Sequence, residues 1–317
     1  MFQRRAVLAA PLILIAGQAC AAWPDRPLRL IVPVAPAGPT DIAARIIAAP
    51  LGPALGQNVV VENRPGGGGN IGTAAVANGP ADGYTILMGS FSNAANPAMF
   101  NDLPFDTQRD LTAVAQVTRV PLILTVNPGL PVQTLQELIA LAKQRPLTYG
   151  TGGVGTSSHL AGEMFIRFAG IPVPAAHYRG AAPANADLVA GQIAFMFDNP
   201  QTALPLIAAG RVRPIAVTTG ERIPELPQVP TARESGLRDL VVTSWHGLFM
   251  RTGTPPEIIA RINREVNAAL QTPDLQERFK ALGVQPGSGS PEDFAAFFNS
   301  EIERWGQVIR EAGIKPE

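Results

Sequence analysis

Leu28-Arg29-Leu30-Ile31-Val32-Pro33-Val34 runs straight into Ala35-Pro36-Ala37-Gly38-Pro39-Thr40-Asp41. The first seven residues are a short apolar run of β type. The next seven form a turn, and residues 41–55 carry apolar side chains at helical spacing. The same grammar returns later. Leu147-Thr148-Tyr149-Gly150 enters Thr151-Gly152-Gly153-Val154-Gly155-Thr156-Ser157-Ser158-His159, and a helix is expected over 158–169. Each stretch is a strand, a Gly-bearing turn and a helix N-terminus. The first-turn amides of a helix have no partner within it, and its dipole favours negative charge there, so both turns read as anion sites. Gly lets the backbone approach a ligand closely, and Thr40, Thr156 and Ser157 add hydroxyls. The structural alternative is ordinary N-capping by Thr40 or Ser157. No Lys or Arg occurs in 35–44 or 148–166, so an anion held there relies on dipoles and hydroxyls.

Outward from these turns, β-type and helical runs alternate along the chain. Strands are expected at 28–34, 58–62, 84–89, 113–118, 122–127, 147–150, 173–178, 193–198, 213–218 and 240–250. Helices are expected at 41–55, 70–77, 135–143, 158–169, 183–190, 201–209, 256–270, 275–281 and 291–312. Such alternation implies an α/β fold with parallel sheets. Two places break it: consecutive strands split by Pro121, and the long run 240–250. A pair of long extended segments suits a two-strand hinge. The expected architecture is therefore two Rossmann-like α/β domains joined by crossing strands. Domain I would be 23–118 plus 246–317, and domain II 119–245.

Composition agrees with a two-domain globular chain. There are 317 residues, 46% apolar and 16% charged, enough apolar material for two cores. Gly and Pro number 31 each with no fixed period, so turns abound. Lys plus Arg equals Asp plus Glu at 25 each, which argues against a nucleic-acid face. A single Cys excludes a disulfide framework and multi-thiolate zinc sites. Residues 1–22 pair Arg4-Arg5 with a small and apolar run, no acid and small residues around Cys20. They read as a secretory signal peptide cut after Ala21 or Ala22, compatible with the general or the twin-arginine export route. The mature protein would be exported.

Catalytic signatures are missing. Gly67, Gly69 and Gly72 match G-x-G-x-x-G, but the place about 20 residues on, where a ribose-binding acid belongs, holds Gly89-Ser90-Phe91. The triplet reads as a turn entering a helix. No G-x-S-x-G, H-E-x-x-H or Walker sequence occurs, and His159, His177 and His246 stand far apart in sequence. No catalytic residue, metal or cofactor is expected.

A run of further motifs accompanies the two turns: Trp23-Pro24-Asp25-Arg26-Pro27, Val61-Glu62-Asn63-Arg64-Pro65-Gly66, Gly69-Asn70-Ile71-Gly72, Asp82-Gly83-Tyr84-Thr85, Tyr178-Arg179-Gly180, Phe197-Asp198-Asn199 and Glu234-Ser235-Gly236-Leu237. In this order the chain resembles the tripartite tricarboxylate transporter receptors, the Bug-type periplasmic solute-binding proteins, over nearly its whole mature length. The resemblance implies a type II-like periplasmic binding protein fold that closes on its ligand. It implies capture of a small carboxylate by two pincers, Ala37, Gly38, Pro39, Thr40 and Asp41 on one side and Thr151, Gly152, Gly153, Gly155, Thr156 and Ser157 on the other. Ser90, Arg179, Gly180 and Asp198 would complete the cleft. Where the family often carries Gly-Gly this chain has Ala37-Gly38, and because Ala resists positive φ the turn is expected to differ slightly. Where the family often carries Thr-His this chain has 90–96, expected as a variant loop. The implied partners are membrane transporter subunits, with the receptor itself a monomer. A sensor for a signalling system and a periplasmic enzyme on the same scaffold remain as alternatives.

Overall fold

The structure, a computed structural model, describes residues 23–314, so the expected signal segment lies outside the described residues. The elements of the first half are β1 (Leu28–Val32), α1 (Pro39–Leu55), β2 (Val59–Asn63), α2 (Asn70–Ala77), β3 (Thr85–Ser90), α3 (Phe91–Met99), α4 (Thr107–Asp110), β4 (Leu111–Pro121), β5 (Ile123–Val126) and α5 (Leu135–Gln144). There follow β6 (Tyr149–Thr151), α6 (Ser157–Ala169), β7 (Ala175–His177), α7 (Ala181–Ala190), β8 (Phe195–Asp198), α8 (Pro200–Ala208) and β9 (Arg213–Val217). The chain ends with β10 (Thr243–Arg251), α9 (Pro256–Leu270), α10 (Pro273–Ala281), β11 (Gln285–Pro286) and α11 (Pro291–Ala312).

Two sheets form. One has six strands in the order β11-β4-β10-β3-β1-β2, the other five in the order β7-β6-β8-β5-β9. In the first, β1 runs parallel to β2 and β3, while β10 lies antiparallel between β3 and β4. In the second, β6 is parallel to β7 and β8. The expected alternation of helices and strands is present, but the sheets are mixed rather than parallel: β5 runs antiparallel to β8 and β9, as β4 does to β10 and β11. The chain crosses between sheets where β4 ends at Pro121 and β5 begins at Ile123, beside the start of β10, whose Thr243 pairs with Pro121.

Each helix sits where its residues favour one. Pro39 opens α1 at a position that needs no N–H, and Gly56 closes it in the left-handed region at φ 75°. Two expected elements also need correction. Residues 91–99 form α3 rather than a loop, because Asn93 Oδ1 accepts from the Ser90 N–H (2.9 Å) and closes the first turn. The late strand starts at Thr243 rather than 240, because Val242 is buried and its N–H donates to Thr218 O (3.1 Å) instead of joining the ladder with β4. The edge strand β11 is too short to show a periodic pattern.

The C-terminal helix α11 is amphipathic and ties the molecule together. Near its start, Phe294 and Phe298 pack around Trp245 and Phe249 of the first sheet. Further along, Trp305 and Ile309 enter the core that includes Phe195 and Phe197 of the second sheet, where Trp305 meets Phe91 edge-on at 4.6 Å.

Candidate functional site

Ligands of open α/β sheets bind beyond the C-terminal ends of parallel strands. Here the ends of β1, β3, β6, β7 and β8 face one cleft of about 120 Å³ between the two sheets. Five helix N-termini border it: Gly38, Pro39 and Thr40 of α1; Ser90, Phe91 and Ser92 of α3; Thr156, Ser157 and Ser158 of α6; Gly180 to Pro183 of α7; and Asp198 and Asn199 before α8. Gly152, Arg179, Met196, Ser244 and His246 also line it. The side chains on its wall thus carry one cation, Arg179, which is exposed, and one carboxylate, Asp198, which is buried.

The first turn is a backbone device. Gly38 is the N-cap of α1, and no side chain caps it, so Thr40 is not the cap and the first amides stay available. Ala37 adopts a left-handed backbone, φ 64°, which an Ala resists. Asp41 holds it there. Its carboxylate accepts from Ala37 N–H (2.9 Å), Arg45 Nε (2.9 Å) and Asn63 Nδ2 (2.9 Å), while the side chain is nearly fully buried. Burial pushes the Asp41 pKa up, but these bonds outweigh it and hold the group below its usual range. Ala37 and Asp41 therefore stand behind the cleft wall and shape it.

The second turn is a hydroxyl network. The N-cap of α6 is Thr156 rather than Ser157, which opens the helix instead. Thr156 Oγ1 donates to Gly153 O (2.6 Å), and Ser158 Oγ accepts from Gly152 N–H (2.9 Å). Thr151 Oγ1 accepts from Gly153 N–H (3.1 Å) and bonds His177 Nδ1 (2.8 Å). Gly155 N–H donates to His159 Nδ1 (3.3 Å). Thr151, Gly153 and Gly155 are thus scaffold to the turn, whereas Gly152, Thr156 and Ser157 reach the cleft. His159 and His177, distant in sequence, stack edge-to-face at 4.7 Å. Burial, and secondarily His177, push His159 down to about 4, so its ring is neutral and its Nδ1 can accept. Gly155 also touches the other half of the molecule: a Cβ placed on it would lie 2.3 Å from Asn96 Oδ1 of α3.

Asp198 ends β8 inside the cleft. It accepts from Asn185 Nδ2 (2.7 Å), Asn199 N–H (2.8 Å) and Thr202 Oγ1 (2.7 Å), closing the first turn of α8. Burial pushes it up to about 6 against these bonds. Arg179 forms no ion pair among the described residues and stands where a ligand carboxylate could meet it.

Sequence reasoning missed the contributions of α3 and His246. The Ser90-x-x-Asn93 spacing was the available signal for the helix; Asn96 and Pro97 mask it. For His246 a lone histidine in a strand gave no signal. The Gly67 to Gly72 stretch is a short 3-10 turn into α2, and Gly72 packs so closely on Pro33 and Arg64 O that a Cβ would lie 2.8 Å from each.

Comparison with known proteins places this geometry. Residues 43–314 match the tripartite tricarboxylate transporter family receptor. The chain is 38% identical to Protein BugT of Bordetella pertussis over 297 residues, 92% of this chain and 91% of that protein. Among solved structures, R. palustris Rpa4515 with adipate superposes with a TM-score of 0.90 at 39% identity, covering 93% of this chain and all of the other. MatC from Rhodopseudomonas palustris with bound malate gives 0.86 at 32%, covering 90% of this chain and all of the other. The periplasmic binding protein BugD gives 0.89 at 32%, covering 93% of this chain and all of BugD. By matched length, sequence identity and superposition alike, the chain belongs to the tripartite tricarboxylate transporter receptor family.

Proposed function

We propose that the protein captures a small carboxylate in the cleft between its sheets, closes on it, and presents the loaded form to membrane subunits of a tripartite tricarboxylate-type transporter. The observation that carries this reading is the convergence of five helix N-termini on a wall whose one cation is exposed. Unpaired first-turn amides and aligned dipoles bind an anion without a buried counter-charge. The adipate and malate named with two similar structures favour a di- or tricarboxylate, with acidic amino acids and aromatic carboxylates as further candidates.

In this reading the pincers at 37–41 and 151–157 act with Ser90, Arg179, Gly180 and Asp198. Domain I (23–118 with 246–317) and domain II (119–245) turn about the β4 and β10 strands. The protein works in the periplasm as a monomer, without cofactor or chemistry of its own. Native mass spectrometry of unrefolded protein should show a co-purified acid. Calorimetry over a panel of acids should identify it, and X-ray scattering should show a smaller radius of gyration when it binds. Folded protein that binds no carboxylate, or that turns one over, overturns the reading.

A further inference from the structure

His246 lies on β10, paired across β3 with Ser90 and across β4 with Thr118, so the three side chains share one face of the sheet. Two of the three, Ser90 and His246, line the cleft. The neighbouring Trp245 takes the opposite face, packed among Phe249, Phe294 and Phe298. The β4 register slips beside His246, with Val117 left over between Thr118 and Gln116, a bulge of the kind that re-aims side chains near sites. His246 is 1% exposed, and burial pushes it down to about 4, so the ring is neutral at physiological pH. Its tautomer then decides what it offers.

Thr118 settles that. Its hydroxyl is fully buried and lies 2.7 Å from His246 Nδ1, its one hydrogen-bond partner among the described residues. The buried O–H needs an acceptor, and Nδ1 is the one within reach. Thr118 therefore donates to Nδ1, and the ring proton sits on Nε2. Nε2 has no protein partner among the described residues, and His246 lines the cleft.

We propose that His246 is a specificity-determining residue of this cleft: Thr118 fixes its ring so that Nε2–H donates to the second carboxylate of a dicarboxylate ligand. The inference rests on the receptor reading above and names its substrate class. Helix N-termini take one carboxylate; the Nε2–H, with no partner of its own, takes an oxygen of the other. A monocarboxylate that places an apolar end there leaves a desolvated donor unpaired, and a site built to hydrogen-bond a group rejects the analogue lacking it.

The test is calorimetry with the matched pairs succinate and butyrate, adipate and hexanoate. Wild type should prefer the diacid by about 10- to 100-fold in at least one pair. His246→Phe should bring the diacid down to the affinity of its monoacid, and His246→Gln, which keeps a donor, should restore most of the preference. Thr118→Val leaves the ring in place and should also erode it. ¹⁵N resonances of the imidazole should report the Nε2–H tautomer in wild type. Wild type that binds no member of either pair overturns this inference and leaves the receptor reading to the wider acid panel; folded protein that binds no acid of that panel overturns both. Wild type that prefers the monoacid, His246→Phe or Thr118→Val that keeps the diacid preference, or an Nδ1–H ring overturns the assignment of His246 alone.

Discussion

Gly155, on the turn before α6, faces Asn96 of α3 in the other half of the molecule, and replacing it with Ala isolates what closure costs. Its φ is +75°, so any side chain incurs left-handed strain of about 1–2 kcal/mol wherever the domains stand. The new Cβ would also lie 2.3 Å from Asn96 Oδ1. Asn96 cannot swing aside cheaply: it is buried, and its Nδ2 donates to Gly68 O (2.9 Å) and Asn70 Oδ1 (2.8 Å). Relief requires the turn at 151–157 to draw back from α3 by roughly 1 Å to reach ordinary contact. Overpacking of that size costs about 1–3 kcal/mol. On the proposed closure, an empty cleft opens and avoids it, whereas a ligand that needs the closed form does not. Gly155→Ala should therefore weaken binding by about 5- to 150-fold while lowering the melting temperature by only the strain. Gly170→Ala is the control, since its φ is +61° with nothing within 4 Å of the new Cβ. Calorimetry and melting of both variants decide. Gly155→Ala that binds like wild type, or no more weakly than Gly170→Ala, refutes the argument.

Arg179→Ala should weaken carboxylate binding by about 1–3 kcal/mol in calorimetry, the cost of one charge-assisted bond, because the helix N-termini remain; abolished binding in a folded variant would make Arg179 the main counter-charge. Asp41→Asn should lower stability by about 1–3 kcal/mol in denaturant titrations and weaken binding indirectly, since the amide removes the charge paired with Arg45 and keeps one acceptor oxygen where the carboxylate serves Ala37 N–H and Arg45 with one and Asn63 with the other. Stability should also fall as the medium acidifies. His159 and His246 stay neutral down to about 4, whereas the unfolded rings protonate near 6.5, so each contributes stability above that pH that is lost on the way down. Asp198, raised to about 6, acts in the opposite direction because the folded state binds its proton first. The net loss from pH 7 to 4.5 is about 3 kcal/mol, measurable by denaturant unfolding, and His246→Gln should flatten the profile.

The two strand-turn-helix units beside the cleft were legible in the sequence because both are local: a strand, a Gly-bearing turn and a helix within some twenty residues, whose physics depends only on chain neighbours. So was the α/β class, from alternating periods, and so were the crossing strands, from the two extended runs around Pro121 and before Met250. What each turn residue does was not legible. Thr40 and Ser157 looked like caps, yet Gly38 and Thr156 hold those positions, because capping depends on where the backbone leaves the helix by a single residue. That Asp41 clamps Ala37 was not legible either, because its carboxylate is also held by Asn63, twenty-two positions away on β2. The histidines show the limit most plainly. His246 lies 128 residues from Thr118, and only the pairing of β10 with β4 brings the hydroxyl to its ring and aims the remaining nitrogen at the cleft. Sequence carries the periodicity that builds strands and helices. Which side chains meet across strands is set by register and crossover, and these are fixed only when the sheets assemble.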